Sequence, residues 1–229
     1  MQKNITIVGA GLAGSLCALY LTKRGHHVSI FERRNDLRSE IITAGKSINL
    51  ALSKRGLTAL KKVGVDSEVM KIAIPMDKRI MHDDKGNLTV QLYGNDGQAI
   101  YSVSRAQLNV LMMKLAAKNG ANLYFNEKCV EANLEQASVV FENTNTNQKQ
   151  TVTSDLIIGA DGAFSAVRKQ MVVQYDHDYS YNKIEHDYKE LHIPPGKNGT
   201  FLLDKNALHI WPRGEFMLIA LANLDGSFT

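Results

Sequence analysis

The sequence predicts an α/β fold carrying an inserted antiparallel β-sheet, on three observations. A short β-branched apolar run, Asn4–Val8 (NITIV), leads directly into GAGLAG at residues 9–14 and then into a helix-period segment stopped by Gly25. A second apolar run, residues 27–31, ends on an acid, Glu32, 18 residues after Gly14. Between residues 78 and 104 the apolar period shortens from helical to two, with Asp84-Lys85-Gly86-Asn87 and Gly94-Asn95-Asp96-Gly97 as hairpin punctuation. The first two observations make a complete βαβ unit, and the third marks two or three antiparallel strands.

Each element follows from local chemistry. Residues 4–8 and 27–31 are short runs rich in β-branched and apolar residues, as strands of a parallel sheet covered on both faces favour. Leu16, Leu19, Tyr20 and Lys23 recur at helical spacing between them. Residues 34–46 are polar and loop-like. Residues 47–52 (SINLAL) lead to a helix around 53–63, ended by Gly64. Ser104-Arg105-Ala106-Gln107 has the capping-box pattern. The helix it opens carries an apolar stripe of Leu108, Leu111, Met112, Leu115 and Ala116, and Gly120 ends it. Asn122–Phe125 predicts a further parallel strand. Residues 138–142 and 150–153 predict a hairpin around an Asn/Thr-rich turn, and residues 155–159 (DLIIG) a buried strand. Residues 175–189, rich in Tyr, His and Asp, predict a loop or short helical piece. No ligand spacing links His177, His186 and His192, so they read as surface or internally satisfied histidines. Three strand-like runs follow Pro194-Pro195-Gly196, at 200–204, 207–211 and 215–221. A further strand signal begins at 225–229, and the expectation is a fragment whose C-terminal part is missing.

Composition excludes several function classes. With 44% hydrophobic and 22% charged residues the chain is an ordinary globular one, not a disordered one. The net charge of +4 is weak for this length, and the densest basic group, Arg33, Arg34 and Arg38, reads as a solvated face rather than a nucleic-acid surface. Cys17 and Cys129 are far apart and lack metal-ligand spacing, which argues against a disulfide framework or zinc site and for a reduced, cytoplasmic setting. Cys17, in an apolar helix, reads as a small core residue. No apolar run approaches the roughly 20 residues that span a bilayer, and the N-terminus enters a strand without a signal-like segment.

The glycine pattern has a specific chemistry. Gly9 allows a tight turn after the strand, Gly11 lets backbone approach a pyrophosphate, and Gly14 lets helix and strand pack closely. The helix N-terminus offers free N–H groups and a partial positive charge, and Glu32 stands where an acid meets a ribose hydroxyl. GAGLAG alone does not separate a nicotinamide from a flavin dinucleotide. Arg105 occupies the first turn of its helix, where the macrodipole disfavours a cation, and such a broken rule often marks function. The bland alternative for Arg105 is an ordinary ion pair.

A further motif narrows the reading. Residues 155–168, DLIIGADGAFSAVR, resemble the DG fingerprint of class A FAD-dependent aromatic hydroxylases, although ADGA is also a helix-capping turn. AGKSINLALSKRG (44–56), SVSRAQLN (102–109), YKELHIPP (188–195) and LHIWPRGEFMLIAL (208–221) extend the resemblance along nearly the whole chain. Residues 47–53 and 209–213 are its most specific stretches, and they resemble the members that hydroxylate L-kynurenine. Ala222 departs from the pattern, standing where proline is expected.

The resemblance implies a Rossmann-like FAD-binding domain at 1–75 and 102–170, with a substrate-side antiparallel sheet at 76–101 and 171–229. It implies FAD contacts at Gly9, Gly11, Ala13, Gly14, Glu32, Arg33, Arg34, Ala51, Arg105, Cys129, Asp161 and Gly162. It implies that Arg79 and Tyr93 hold the amino-acid end of the substrate. An arginine grips a carboxylate with two parallel charge-assisted hydrogen bonds, and a tyrosine hydroxyl adds one more. The implied reaction is an NADPH-dependent monooxygenation: FAD is reduced by NADPH, and one oxygen of O2 enters the L-kynurenine ring beside its amine, a step of tryptophan degradation and NAD biosynthesis. The flavin carries the chemistry, so no catalytic acid or base and no metal is expected. The C-terminal FAD and substrate contacts of the family lie beyond this chain, which is therefore expected to be poorly active alone. Two alternatives stay open: a class A hydroxylase for another aromatic substrate, and a non-catalytic FAD-binding fragment.

Overall fold

The structure, a computed structural model, describes residues 1–39, 48–94, 97–175 and 179–229. Most of the predicted loop at 34–46, together with Ser47, Asn95, Asp96 and His177, lies outside them. Along the chain run β1 (Asn4–Val8), α1 (Leu12–Thr22), β2 (His27–Glu32), β3 (Asn49–Leu52), α2 (Lys54–Lys62), α3 (Asp66–Met70) and β4 (Ala73–Met76). Next come β5 (Lys78–His82), β6 (Leu88–Leu92), β7 (Ile100–Ser104), α4 (Arg105–Lys118), β8 (Asn122–Phe125), β9 (Glu127–Asn133) and β10 (Ser138–Asn143). The chain continues through β11 (Lys149–Thr153), β12 (Leu156–Gly159), α5 (Ala166–Tyr175), β13 (Ala207–Arg213) and β14 (Phe216–Ala220).

Two compact units divide these elements, one of residues 1–40 and 109–186, the other of residues 41–108 and 187–229. The resemblance implies divisions elsewhere, at 75, 101 and 170. The difference has a physical cause: β3 and β4 both pair antiparallel with β7, Asn49 beside Ser104 and Met76 beside Ile100, so the stretch after residue 48 joins the inserted sheets.

The first unit is built on a parallel sheet in the order β12-β1-β2-β8. β1 lies inside it, and Ile5, Ile7 and Val8 are buried, as the NITIV run requires. Among the described residues β12 is an edge strand, not a buried one: β1 alone flanks it, and Leu156 is 43% exposed. A second, antiparallel sheet, β11-β10-β9, packs beside α5. Phe31 stacks on Phe141 at 4.0 Å and on Tyr124 at 4.6 Å between ring centroids. Val8, Phe31, Cys129, Val139, Phe141 and Val167 form one core cluster. Burying a phenylalanine such as Phe141 contributes about 1.5–3 kcal/mol. Gln174 fastens α5 to β9, its Nε2 donating to Ala132 O at 2.7 Å and its Oε1 accepting the Leu134 N–H at 3.1 Å.

The second unit holds the antiparallel sheet β3-β7-β4 and the four-stranded sheet β14-β13-β5-β6. The latter is mixed rather than antiparallel: β5 and β13 run parallel, with Ile80 beside His209, while their outer neighbours are antiparallel. β13 arrives from more than a hundred residues away, so no hairpin dictates its direction. The run at 200–204 is not a strand. Its alternating Phe201 and Leu203 pack against Ile74, Ala220, Ala222 and Phe228, which supplies the apolar pattern without a ladder.

Candidate functional site

The site starts at the carboxyl end of β1. Gly9 has φ +105°, a left-handed conformation that favours glycine, and a Cβ there would come within 2.5 Å of Ala160 O. The turn is held by Gly9 N–H donating to Phe31 O and Ala160 N–H donating to Val8 O, each at 2.8 Å. Gly14 packs so closely over the Gly9 carbonyl that any Cβ would collide with it. Gly11 is the opposite case, with nothing within 4 Å of its Cβ position. It is the N-cap of α1, its backbone is extended, no side chain caps the helix, and no acid stands in the first turn. Ala13, exposed, lies in that turn. The helix thus offers unclaimed N–H groups and a partial positive charge beside a residue without a side chain, which fits a dinucleotide pyrophosphate.

Glu32 closes the cradle from β2. Its Oε2 accepts the Ala10 N–H at 2.9 Å, and its Oε1 accepts Arg34 Nε at 2.8 Å and the Arg34 N–H at 3.0 Å. Burial alone would push the carboxyl upward, but the Arg34 side-chain bond, the two backbone N–H groups and the Arg34 charge outweigh it and hold it below its ordinary value. A charged, oriented carboxylate is what a ribose diol needs as an acceptor. Arg33 is exposed beside it. Ala10 was not singled out from sequence; its contribution is a backbone N–H, which side-chain identity cannot signal.

The DG turn adjoins the glycine turn through Ala160. Asp161 Oδ1 accepts the Ser165 hydroxyl and its Oδ2 the Ala166 N–H, both at 2.6 Å, so Asp161 caps α5. Gly162 takes φ +84° in the same turn. Arg168 donates back to the carbonyls of Gly162 and Ala163 and lies 5.3 Å from the Tyr179 ring. Cys129 belongs to the core cluster beneath. Burial, reinforced by the Asp161 charge, pushes its thiol up to about 11, so it is a neutral packing group there.

Four expected site residues lie in the other unit. Ala51 is exposed on β3, opposite Ser102. Arg105 opens α4, its N–H donating to Ile48 O at 3.0 Å, and its side chain is exposed. Ser104 Oγ accepts the Gln107 N–H at 3.4 Å, one arm of the expected capping box. Arg79, on β5, lies opposite Gln91, and Tyr93, two residues further, is its diagonal neighbour on the same face. The guanidinium carbon is 5.8 Å from the Tyr93 ring centroid. Among the described residues no carboxylate pairs with Arg79. Burial raises the Tyr93 phenol, and the Arg79 charge opposes it only in part, so Tyr93 remains a neutral donor. Such a pair can accept a carboxylate. His82, His209 and Trp211 cluster on the opposite face of this sheet, and sequence spacing gave no sign of it, since 127 residues separate the histidines.

Comparison with known proteins bears on the family and the fold. Kynurenine 3-monooxygenase of Flavobacterium psychrophilum is 49% identical over 232 residues, covering 100% of this chain and 51% of that protein. Kynurenine 3-monooxygenase of Anopheles gambiae is 45% identical over 228 residues, covering 99% and 47%. The chain therefore spans about half the length of the curated relatives it matches. Among solved structures, the tetrameric form of 2-methyl-3-hydroxypyridine-5-carboxylic acid oxygenase superposes with a TM-score of 0.74 at 17% identity, over 99% of this chain and 57% of that one. The flavin-dependent monooxygenase PieE, in complex with FAD and substrate, gives 0.62 at 21% identity over 75% and 32%. These two show the fold. The FAD binding domain model matches residues 2–188, most of the chain and all of the glycine cradle, Glu32 and the DG turn: the chain belongs to the FAD binding domain family.

Proposed function

We propose that this chain carries the FAD cradle and the substrate-carboxylate pair of an NADPH-dependent flavoprotein monooxygenase that converts L-kynurenine to 3-hydroxykynurenine with O2. The observation that carries the reading is the likeness to kynurenine 3-monooxygenases along the whole chain, joined to the Arg79–Tyr93 pair. FAD, when bound, supplies the redox chemistry. Gly9, Gly11 and Gly14 would seat its pyrophosphate at the α1 N-terminus, with Ala13 in the same turn. Glu32 would take the ribose, with Arg33 and Arg34 beside it. Asp161 and Gly162 shape the adjoining turn, Cys129 packs beneath it, and Ala51 and Arg105 are offered as further FAD contacts. Arg79 would hold the substrate carboxylate in a fork and Tyr93 would add a hydroxyl donor, so that position is fixed before reaction. The reading belongs to tryptophan degradation. It includes a cytoplasmic setting, supported by two unpaired cysteines. Among the described residues no helix is long and apolar enough to cross a membrane.

The test supplies FAD, NADPH and L-kynurenine in air to the gene product carrying this chain and looks by mass spectrometry for a product with one added oxygen. NADPH oxidation that depends on kynurenine, with that product, is the expected result. NADPH consumption without hydroxylation keeps the flavoprotein and removes the substrate. Bound FAD with neither outcome removes the monooxygenase. In the same assay Arg79→Ala should weaken kynurenine binding about 10- to 100-fold, the worth of a charged hydrogen-bond pair, while FAD binding stays unchanged.

A further inference from the structure

Neither the FAD cradle nor the Arg79–Tyr93 pair makes use of the outer edge of β6. The strand ends the sheet β14-β13-β5-β6, and among the described residues no strand lies along its far side. Asp83 shapes the turn that leads into it. Its Oδ1 accepts the Lys85 N–H at 2.9 Å and the Asn87 N–H at 2.7 Å, and its Oδ2 accepts Asn87 Nδ2 at 2.8 Å. The edge is therefore already in place before any partner meets it, with Val90 beside Ile80 of β5.

The ladder to β5 decides which way the β6 backbone points. Tyr93 N–H donates to Asp77 O at 2.9 Å, and Asp83 N–H donates to Asn87 O at 3.1 Å. Residues facing each other in an antiparallel ladder alternate between bonded and non-bonded pairs. Thr89 and Gln91 thus face β5, while Leu88, Val90 and Leu92 turn their N–H and C=O groups outward. The side chains of these last residues lie on the face opposite Arg79 and Tyr93. They are 60%, 57% and 67% exposed.

Edge strands are ordinarily guarded by a charge, a proline or a bulge. LTVQL holds no charge and no proline, and it pairs with β5 without a register shift. Lys78, the cation opposite Leu92, is drawn to Asp204 at 2.9 Å. By polarity the strand also reads the same in both directions: apolar at 88, 90 and 92, uncharged polar at 89 and 91. A twofold axis at Val90 sets Val90 against Val90, Leu88 against Leu92 and Thr89 against Gln91. Like chemistry meets like, and no charge meets itself. No other axis along the strand engages the outward groups of Leu88, Val90 and Leu92 together.

We infer that β6 pairs antiparallel with β6 of a second copy of this chain about that axis, so that two sheets become one. A strand pair stands at the small end of protein interfaces, so the association is weak and reversible.

The test is sedimentation velocity of the gene product carrying this chain. No flavin, NADPH or kynurenine takes part, so the outcome is independent of the monooxygenase reading. A monomer–dimer equilibrium should appear across concentrations on the order of 1–100 μM. Val90→Lys and Val90→Glu each set like charges directly opposite across the axis and should raise the dissociation constant at least about 10-fold. An equal mixture of the two sets lysine against glutamate and should restore the dimer. Val90 is exposed, so each variant should keep the parent's thermal midpoint almost unchanged. A gene product that stays monomeric throughout, single variants that dimerise like the parent, or a mixture that stays monomeric overturns the proposal. Should the variants fail to fold, amide exchange of the unaltered protein decides. Exchange at Leu88, Val90 and Leu92 should slow as concentration rises, with Thr89 and Gln91 unaffected; outward amides indifferent to concentration overturn it too.

Discussion

Gly11 and Gly14 belong to one motif but do different physical work. At Gly14 any Cβ strikes the Gly9 carbonyl, so Gly14→Ala is an overpacking change and should cost about 1–3 kcal/mol of stability as well as FAD binding. At Gly11 a Cβ meets open space, so Gly11→Ala should leave the thermal midpoint almost unchanged and yet weaken FAD at least about 10-fold, by filling the room a pyrophosphate needs. Thermal melts beside flavin titrations check the contrast. Equal losses in both properties for Gly11→Ala would remove the phosphate role. Glu32 gives a pH signature. Because its folded value lies below the ordinary one, its stabilisation is complete above about 4.5 and is lost as the pH falls through the lowered value. Glu32→Gln should cost about 1.5–3 kcal/mol in urea unfolding at pH 7, where charged hydrogen bonds are lost, and much less near pH 3.

At the scale of elements, the strength of the periodic signal decides what can be seen from sequence. β1, α1, β2 and α4 were legible because long apolar stripes and glycine stops agree there. β9 was not: EKCVEAN buries Glu127, Cys129 and Ala132, and a register shift opposite Val140 and Phe141 breaks the alternation between the last two. The edge position of β12 was hidden too, because LIIG is as apolar as an interior strand and its neighbours are set by distant segments. The glycine cradle was readable because its chemistry is local. The link from Ala10 to Glu32 and the His82–His209 contact are tertiary and leave no spacing to detect. The DG turn offers a test at this scale. Asp161→Ala removes one of two side-chain caps of α5, leaving the Ser165 hydroxyl on the Arg168 N–H at 2.9 Å, and should cost about 0.5–2 kcal/mol, with Asp161→Asn recovering most of it. Circular dichroism melts measure this directly. If both variants melt like the parent, Asp161 is not a cap.

Across the whole molecule, each unit is assembled from segments far apart in sequence. Phe141 shows how much rests on this: it meets Phe31 across 110 residues and is fully buried, so Phe141→Ala should cost about 3–5 kcal/mol in urea unfolding. The pairing of Ile5 with Leu156 has a consequence for the order of events during synthesis. β1 leaves the ribosome before β12, and at roughly 5–20 residues per second that partner follows on the order of 10 s later. Until then one edge of β1 is unpaired and Gly9 has no Ala160 to lean on, so the glycine turn is translated well before it can be finished. A newly made chain therefore passes through an interval in which the cofactor's seat is present in sequence and absent in shape, with an apolar strand open to chaperones.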